Sequence, residues 1–339
     1  MEYEVKKLLS PNLYSDILSI TEGSTDFSRF NGKTVLITGA GELLGIYLAT
    51  ALLINNDINS ADTKVIAVDA GEDIFRRYGK LTNRNDIDFI VSRDYSALLS
   101  VSADYVIHTE SFVKLDSEAA LINLLAFIKQ SSARALINTY SGVYGDVFNG
   151  KDVIFEDDMG YVNPADPSSR YIQAQRMAES LALRLYKTDG IDISLSRSSL
   201  IYGATEFGGE SRHIQIITEA LRGRTIVIDS DDSTPQSYIY ITDAAEALLT
   251  VLLDGKQAEI YNIASGYIGA PSLFAHHCVK LFSDKELTVE AKGSPKVISP
   301  ISPTIKVLDN SKLCALGFTP KVSVSNGIVR SAKILSEVM

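Results

Sequence analysis

The sequence has 339 residues, of which 45% are hydrophobic and 22% are charged, so it can bury a large core as one domain or as two closely joined lobes. Its formal net charge of −10 at pH 7 argues against nucleic acid or an anionic membrane surface as a partner. No apolar run approaches the length of a membrane span, the N-terminus lacks a signal-peptide layout and the two cysteines match no metal spacing, so we expect a cytoplasmic protein without a metal site.

The first 31 residues precede the first predicted strand. Ser10-Pro11 is typical of a helix start, and we expect a helix from there to Ile20. Residues 1–31 are therefore predicted to be an N-terminal extension that packs on the following domain.

Residues 34–45 (TVLITGAGELLG) predict a strand, a glycine-rich turn and a helix. Four β-prone residues enter the turn, and apolar residues recur at helical spacing after it. Such a turn directs backbone N–H groups and the positive end of a helix at one point, which suits a dinucleotide pyrophosphate. We therefore expect a set of cofactor contacts in the turn: Gly39, Gly41, Glu42, Leu43, Leu44 and Gly45.

The second predicted strand, residues 64–69, ends in Asp69. A carboxylate there can accept hydrogen bonds from both hydroxyls of an adenosine ribose. The 2′-phosphate of NADP would need a cation, whereas the sequence offers Asp69, Glu72 and Asp73, so NAD is the predicted cofactor. Arg76 and Arg77 are interpreted as part of a solvated helix face.

Strands are also predicted at 88–91, 105–108, 135–138 and 193–196, with helices at 117–130 and 171–187. Strands that alternate with helices predict parallel crossovers, and hence an α/β fold with a doubly wound parallel sheet. Both helices carry more apolar surface than one core face needs. We therefore expect a homodimer formed through them, with a deeply buried crossover helix as the alternative.

After Gly203 the pattern becomes irregular, with helices predicted at 211–222 and 243–253 and strands at 225–228, 238–241 and 260–263. An acidic loop is predicted at 230–235, and the proline-containing C-terminal part is typical of a smaller lobe that closes over a substrate. We predict an extension (1–31), a Rossmann-type domain (32–200, to which 225–263 returns) and a substrate-binding lobe (201–224 and 264–339).

In this order, the motifs resemble those of the extended short-chain dehydrogenase/reductase family, which includes nucleotide-sugar epimerases, dehydratases and decarboxylases. The likeness extends from about Gly32 to the C-terminus. Its landmarks are Thr38-Gly39…Gly45, Asp69, Asp94, Val106-Ile-His108, Val143-Tyr-Gly145, Tyr171, Arg197…Tyr202-Gly203, Tyr240-Ile-Thr-Asp243, Tyr261-Asn-Ile263 and Leu308…Pro320.

In that family a tyrosine takes a proton from a sugar hydroxyl while hydride passes from the same carbon to the nicotinamide. The resemblance assigns this role to Tyr171. A lysine four residues later usually contacts the nicotinamide ribose and lowers the tyrosine's pKa, and here Gln175 takes its place without a charge. The serine or threonine that contacts the reacting oxygen is replaced by Tyr140, between Thr139 and Ser141.

The cofactor cleft departs from the family pattern as well. Glu42 replaces the middle glycine of the turn, which adds negative charge and could strain the backbone. Glu110 and Ser111 replace the alanine and glycine that usually follow the strand ending in His108. The resemblance implies cofactor contacts after the third and fourth strands, at Asp94, His108, Thr109 and Glu110.

Two positions that usually contact the substrate's phosphates are also changed, to Leu200 and Gln236. These changes indicate an unusual phosphate grip or a substrate without the usual diphosphate. Arg212 is a candidate replacement, as are Arg222 and Arg224, although each is more often a surface charge.

The loop before Val143 bears on the reaction. Family dehydratases carry Asp-Glu there and decarboxylases carry Glu, whereas this chain has Ser141 and Gly142. The resemblance therefore implies an NAD-dependent nucleotide-sugar enzyme of the epimerase or 4-keto-reductase type. The alternative is a catalytically silent relative that binds a nucleotide or nucleotide-sugar in a structural or regulatory role.

Overall fold

The computed structural model describes residues 3–110, 117–145, 153–207, 211–228, 235–292 and 307–339. Within these ranges, seven parallel strands form a central sheet: β1 (Thr34–Thr38), β2 (Lys64–Asp69), β3 (Ile87–Val91), β4 (Tyr105–His108), β5 (Arg134–Tyr140), β7 (Ile193–Ser198) and β11 (Ile260–Ile263). Their order across the sheet is β11-β7-β5-β4-β1-β2-β3.

Alternate residues of each strand face two different cores, as the pleat of a strand requires. On β1, Val35 and Ile37 face one core and Leu36 faces the other. The first core lies under α3 (Leu43–Asn59) and α8 (Ile241–Asp254), and the second under α5 (Ser117–Ser131) and α6 (Arg170–Asp189). Helices therefore cover both faces, and the predicted Rossmann-type doubly wound sheet is confirmed.

The strand order reverses between β1 and β4. Thr38 of β1 pairs with Val68 of β2 on one side and with His108 of β4 on the other. The carboxyl ends of these strands consequently lie level with one another, at the kind of switch point where doubly wound sheets bind ligands.

The remaining strands form small sheets: β8 (Leu200–Tyr202) with β10 (Gln236–Tyr240) and β12 (Tyr267–Gly269), β9 (Ile226–Ile228) with β13 (Val289–Ala291), and β6 (Val153–Ile154) with β14 (Val307–Leu308). The other helices are α4 (Asp73–Tyr78), α7 (Arg212–Leu221), α9 (Pro271–Leu281), α10 (Ser311–Cys314) and α11 (Val324–Ser336). Within 225–263, the segment predicted to return to the Rossmann-type domain, β11 joins the central sheet and α8 packs on it, whereas β9 and β10 pair with strands of the small sheets. Most of the predicted acidic loop, residues 230–234, lies outside the described residues.

The N-terminal extension contains α1 (Val5–Leu8) and α2 (Pro11–Thr21), and α2 packs on α3, α8 and α11. Asp16 of α2 is 5% exposed and accepts hydrogen bonds from the hydroxyls of Tyr47 (2.9 Å) and Tyr240 (2.8 Å). Arg330 of α11 donates a third hydrogen bond to this carboxylate, at 3.2 Å. One buried acid thus ties the extension to three distant parts of the chain.

No helix in the described part of the chain has both the length and the apolar character required to cross a membrane.

Candidate active site and cofactor cleft

The turn after β1 is tight because glycines occupy its crowded positions. Gly39 has a φ of +67°, in the left-handed region, and a Cβ there would lie 2.7 Å from the Cα of Glu110. A Cβ at Gly45 would clash with the carbonyl oxygen of Gly39. Helix α3 can therefore begin directly after the glycine turn. Leu43 and Leu44 lie in the first turn of the helix, where the backbone N–H groups have no partner within the helix.

Glu42 is the residue before α3, and its backbone is extended, with a φ of −89°. The strain considered for a non-glycine residue at this position is therefore absent. Its side chain is half-buried, so the negative charge that it adds stays close to the turn.

Asp69 ends β2 and is 7% exposed. Its Oδ2 accepts a hydrogen bond from the Gly41 N–H (2.9 Å), and its Oδ1 accepts one from the Gly71 N–H (3.1 Å). Beside it lies a cavity of about 340 Å³, lined by the loops after β1, β2 and β3 and by Arg77 and Arg93. Arg77, which was interpreted as part of a solvated helix face, pairs with Asp73 at 2.7 Å and also borders this cavity.

These groups fit a dinucleotide. The glycines leave room at the turn that any Cβ would fill, and Asp69 lines a cavity large enough for an adenosine. Asp69 would hold the adenosine ribose, and the N–H groups at the start of α3 would hold the pyrophosphate.

Three other expected cofactor residues have partners within the protein. Asp94 accepts a hydrogen bond from the Ser96 N–H (3.1 Å) and stabilises the turn that follows β3. His108 is fully buried with Nδ1 2.7 Å from the Thr38 hydroxyl, and burial lowers its pKa to about 3, so the ring is neutral. The Thr109 hydroxyl donates to the Thr38 carbonyl (2.7 Å). These side chains hold the carboxyl ends of the strands in place.

Tyr171 and Gln175 lie on the same face of α6 because they are four residues apart. Gln175 is 3% exposed, and its Oε1 accepts a hydrogen bond from the backbone N–H of Tyr140 (2.8 Å). The amide oxygen is thus committed to β5, and only the NH₂ group remains to donate to a ribose. Sequence reasoning could not find this contact, because nothing local links the two residues.

Tyr140 and Ser141 lie together beside Tyr171. Burial raises the pKa of the Tyr140 phenol, a hydrogen bond with the Ser141 side chain opposes that effect, and the nearby Tyr171 phenol raises it further. Tyr140 is therefore protonated at neutral pH and can donate a hydrogen bond. Thr139 is buried, with 2% of its surface exposed, and its hydroxyl donates a hydrogen bond to Glu179 Oε1 at 2.8 Å. That hydroxyl is therefore directed towards Glu179.

A buried ion pair behind Tyr171 was missed by the sequence analysis. Glu179 accepts hydrogen bonds from Arg197 Nε (2.9 Å) and Nη2 (2.7 Å), and both side chains are less than 10% exposed. Arg197 also donates to the Glu156 carbonyl (2.8 Å) and lies over the Tyr144 ring, 4.7 Å from its centroid. The sequence did offer one indication of this pair, because Glu179 follows Tyr171 by eight residues and so lies on the same face of the helix.

The expected substrate residues are brought together only in part. Leu200 of β8 pairs with Tyr238 of β10, which places Gln236 two residues away along the neighbouring strand. Arg212 begins α7, and its guanidinium donates to the carbonyl of Val227 in β9. Leu200 and Gln236 thus share one small sheet, whereas the hydrogen bond from Arg212 is directed to a different one.

The chain belongs to the NAD dependent epimerase/dehydratase family, whose model matches residues 35–264. The resemblance seen in the sequence is thereby confirmed, and NAD is the cofactor of the family.

Among similar proteins, UDP-glucuronic acid decarboxylase 6 of Arabidopsis thaliana is 25% identical over 312 residues, which cover 87% of this chain and 86% of the relative. Human dTDP-D-glucose 4,6-dehydratase is 24% identical over 247 residues, covering 65% and 70%. An epimerase of Methanothermobacter thermautotrophicus has a TM-score of 0.75 at 17% identity over 97% of each chain. The dTDP-glucose 4,6-dehydratase of Bacillus anthracis, solved in complex with NAD, has a TM-score of 0.72 at 17% identity, covering 90% of this chain and 97% of that one. These solved structures share the fold.

Asp69→Ala is expected to weaken NAD binding by about 1–3 kcal/mol, the range for leaving polar partners unmade. Titration calorimetry measures this loss, with Glu72→Ala, which removes an exposed carboxylate from the next loop, as the control. The wild type should bind NAD more tightly than NADP, because Asp69 would face the 2′-phosphate. Equal affinity for the two would contradict the role given to Asp69.

Proposed function

We propose that the protein is an NAD-dependent enzyme that modifies a nucleotide-sugar, of the epimerase or 4-keto-reductase type. Membership of the family and a cleft that fits NAD support the cofactor part of this proposal. The names of its relatives, decarboxylases and dehydratases of UDP- and dTDP-sugars, support the substrate class.

In this proposal, Tyr171 is the acid/base. Bound NAD supplies the chemistry of hydride transfer with a sugar carbon. Tyr171 takes a proton from the hydroxyl on that carbon, or returns one, while Tyr140 and Ser141 donate hydrogen bonds to the reacting oxygen. Gln175 positions Tyr140 through the hydrogen bond to its backbone N–H.

The observation that separates this reaction type from dehydration and decarboxylation is the loop that holds Ser141 and Gly142. Ser141 is 5% exposed, and a Cβ added at Gly142 would lie 3.1 Å from the Tyr140 ring. The loop thus has no carboxylate at either position, and Tyr140 fills the space beside it. Elimination or loss of CO₂ assisted by an acid from this loop is therefore not supported.

The proposed substrate lobe comprises residues 201–224 and 264–339, with Gln236 and Leu200 beside it. An amide and an aliphatic side chain neutralise no phosphate charge. We infer that the diphosphate, where the substrate has one, is held by backbone N–H groups or by an arginine such as Arg212.

A second candidate function is binding without catalysis. Gln175 favours it, because its amide oxygen is committed to the Tyr140 N–H and it brings no positive charge to Tyr171. The protein would then hold NAD or a nucleotide-sugar in a structural or regulatory role.

The test is incubation of the purified protein with a panel of UDP- and dTDP-sugars plus NAD, and with their 4-keto derivatives plus NADH. Nuclear magnetic resonance of the sugar reports epimerisation, and NADH absorbance reports net reduction. Conversion of any member supports the enzyme. Binding of nucleotide-sugars without conversion across the panel would instead support the second function.

We also propose a homodimer formed through α5 and α6. Ala119, Ile122 and Ala126 occupy an outward face of α5, and Met177 is exposed on α6. Ile122 is 55% exposed and lies between Ala119 and Ala126 on this face, so α5 presents a contiguous apolar strip. A second copy of the same face would bury it.

Ile122→Glu is expected to convert a dimer into a monomer at micromolar concentration, because it places a charge at the centre of the contact. Light scattering measures the mass. Ile58→Glu is the matched control, since Ile58 is 54% exposed on α3, which covers the opposite face of the sheet. A monomeric wild type would rule out the proposed dimer.

A further inference from the structure

Glu110 places a buried carboxylate beneath the dinucleotide turn. It follows β4, and its Oε1 accepts a hydrogen bond from the backbone N–H of Ala70 (3.2 Å), which follows β2. Because β1 lies between those strands, the side chain crosses the carboxyl end of β1. Only 2% of Glu110 is exposed, and its Cα is the atom that a Cβ at Gly39 would meet. The carboxylate is therefore part of the floor over which a dinucleotide must pass.

A strained residue holds Glu110 in place. Tyr95 is fully buried, and its φ of +56° lies in the left-handed region that a bulky side chain rarely adopts. Its hydroxyl donates a hydrogen bond to Oε2 of Glu110. Strain of this kind persists only where the surrounding structure fixes it, and it concentrates at functional sites. The contact between Tyr95 and Glu110 is thus built into the cleft.

The surroundings of Glu110 are mainly acidic. Burial raises its pKa to about 7, the Tyr95 hydroxyl opposes this, the charges of Asp69 and Glu42 raise it further, and the Ala70 N–H opposes it. His108, whose ring contacts Tyr95, is neutral, so it offers no positive charge. Arg77 and Arg93 line the neighbouring cavity together with Asp69, and Arg77 is paired with Asp73 at 2.7 Å.

We propose that Glu110 makes NAD binding proton-linked, so that the cleft takes up a proton at this carboxylate as the dinucleotide binds. The proposal rests on the assignment of NAD to this cleft. A pyrophosphate carries a negative charge on each phosphate, and bringing it near a buried carboxylate favours the neutral acid. A protonated Glu110 can also donate a hydrogen bond, which a carboxylate cannot.

The direction of the pH dependence of NAD binding follows from its linkage to the protonation of Glu110. If bound NAD raises the pKa of Glu110, both forms are protonated well below the free value, and affinity there does not depend on pH. Between the free and bound values the complex holds one more proton, and the Kd rises by up to about tenfold per pH unit. The pKa of Glu110 is about 7 before NAD binds. NAD binding should therefore weaken as the pH rises above that value.

The test is calorimetric titration of the full chain with NAD from about pH 6 to about pH 9, in two buffers of different ionisation enthalpy, which together report the protons taken up. The wild type is expected to take up close to one proton above pH 7 and to lose about tenfold or more in affinity at the alkaline end. Glu110→Gln keeps the shape, and its amide oxygen can still accept from the Ala70 N–H while its NH₂ group donates to the Tyr95 hydroxyl oxygen. It should bind NAD with no proton uptake and with a Kd that does not change with pH.

Two further variants separate Glu110 from its neighbours. Tyr95→Phe removes a hydrogen bond that favours the charged form, so the pH at which affinity begins to fall should move upward. Glu42→Gln removes one negative charge from the dinucleotide turn itself, and it should tighten binding while leaving proton uptake at Glu110 intact. Proton uptake that survives in Glu110→Gln, or that disappears in Glu42→Gln, would overturn the proposal.

The cofactor assignment and the linkage fail differently. Binding of NAD to the wild type with a constant Kd from pH 6 to pH 9 would overturn the linkage alone. An absence of NAD binding at every pH, in the wild type and in Glu110→Gln, would overturn the cofactor assignment and the linkage with it.

Discussion

Glu179→Ala is expected to lower the free energy of unfolding by about 3–5 kcal/mol, the cost of leaving one partner of a buried ion pair behind. Arg197 would lose both hydrogen bonds to that carboxylate, at 2.9 and 2.7 Å, and the Thr139 hydroxyl would keep only the Ser196 carbonyl, at 3.1 Å, as an acceptor. The Glu156 carbonyl and the Tyr144 ring would remain as partners of the guanidinium, but neither is charged. Thermal unfolding should show a fall in Tm on the order of 10 °C.

The matched control is Asp189→Ala, on the same helix. Asp189 pairs with Lys129 at 2.7 Å, but the lysine side chain is 57% exposed, so solvent screens this pair and its loss should hardly change the stability. If Glu179→Ala and Asp189→Ala lower the free energy of unfolding by similar amounts, the buried ion pair of Glu179 and Arg197 contributes no more stability than an exposed one. Glu179→Gln, which keeps an acceptor without the charge, should fall between them.

The parts of the fold that the sequence predicts well are those set by neighbours along the chain. Strand β1, the glycine turn and α3 follow one another within 26 residues, from Thr34 to Asn59, and each has its own local pattern. Asp69 was predicted as the residue that ends the next strand. Its place beside the turn follows directly from parallel pairing of β1 with β2.

The contacts particular to this candidate site join residues that are far apart in the sequence. The residues next to them in the chain give no pattern from which these contacts could be predicted. Gln175 and Tyr140 are 35 residues apart, and their hydrogen bond uses a backbone N–H that any residue at 140 would offer. Glu110 could be identified as a departure from the family pattern, but its partner Tyr95 could not, since a left-handed tyrosine has no sequence signature. Asp16 and Arg330 are 314 residues apart, so the role of the extension was visible only in three dimensions.

The hydrogen bond from Tyr140 also changes what a lysine at position 175 would do. A lysine has three donors and no acceptor, so Gln175→Lys would supply the missing charge and at the same time leave the buried N–H of Tyr140 without its partner. This loss should cost about 1–3 kcal/mol of stability. Stability and activity of this variant must therefore be measured separately.

Tyr171→Phe is expected to reduce turnover by a factor on the order of 10² to 10⁴, the usual contribution of a positioned acid or base, while NAD affinity remains nearly unchanged. A tyrosine in water has a pKa of about 10, so roughly one in a thousand is ionised at pH 7. Without a lysine charge at position 175, oxidation of an alcohol, which needs Tyr171 as a base, should be slow near neutrality. Reduction of a ketone needs a protonated phenol and should be favoured. Steady-state rates in both directions across pH, with NAD affinity from calorimetry, measure these effects.

The matched control for Tyr171→Phe is Tyr186→Phe, because it removes a hydroxyl from the same helix about four turns away from Tyr171. It should leave both rates unchanged. Gln175→Lys should move the alkaline limb of the oxidation profile to lower pH and raise the oxidation rate near neutrality, despite its lower stability, because a cation beside a phenol favours the phenolate. If Tyr171→Phe alters no rate and Gln175→Lys yields no activity with any nucleotide-sugar, Tyr171 is not an acid/base, and binding without catalysis becomes the better account of this cleft.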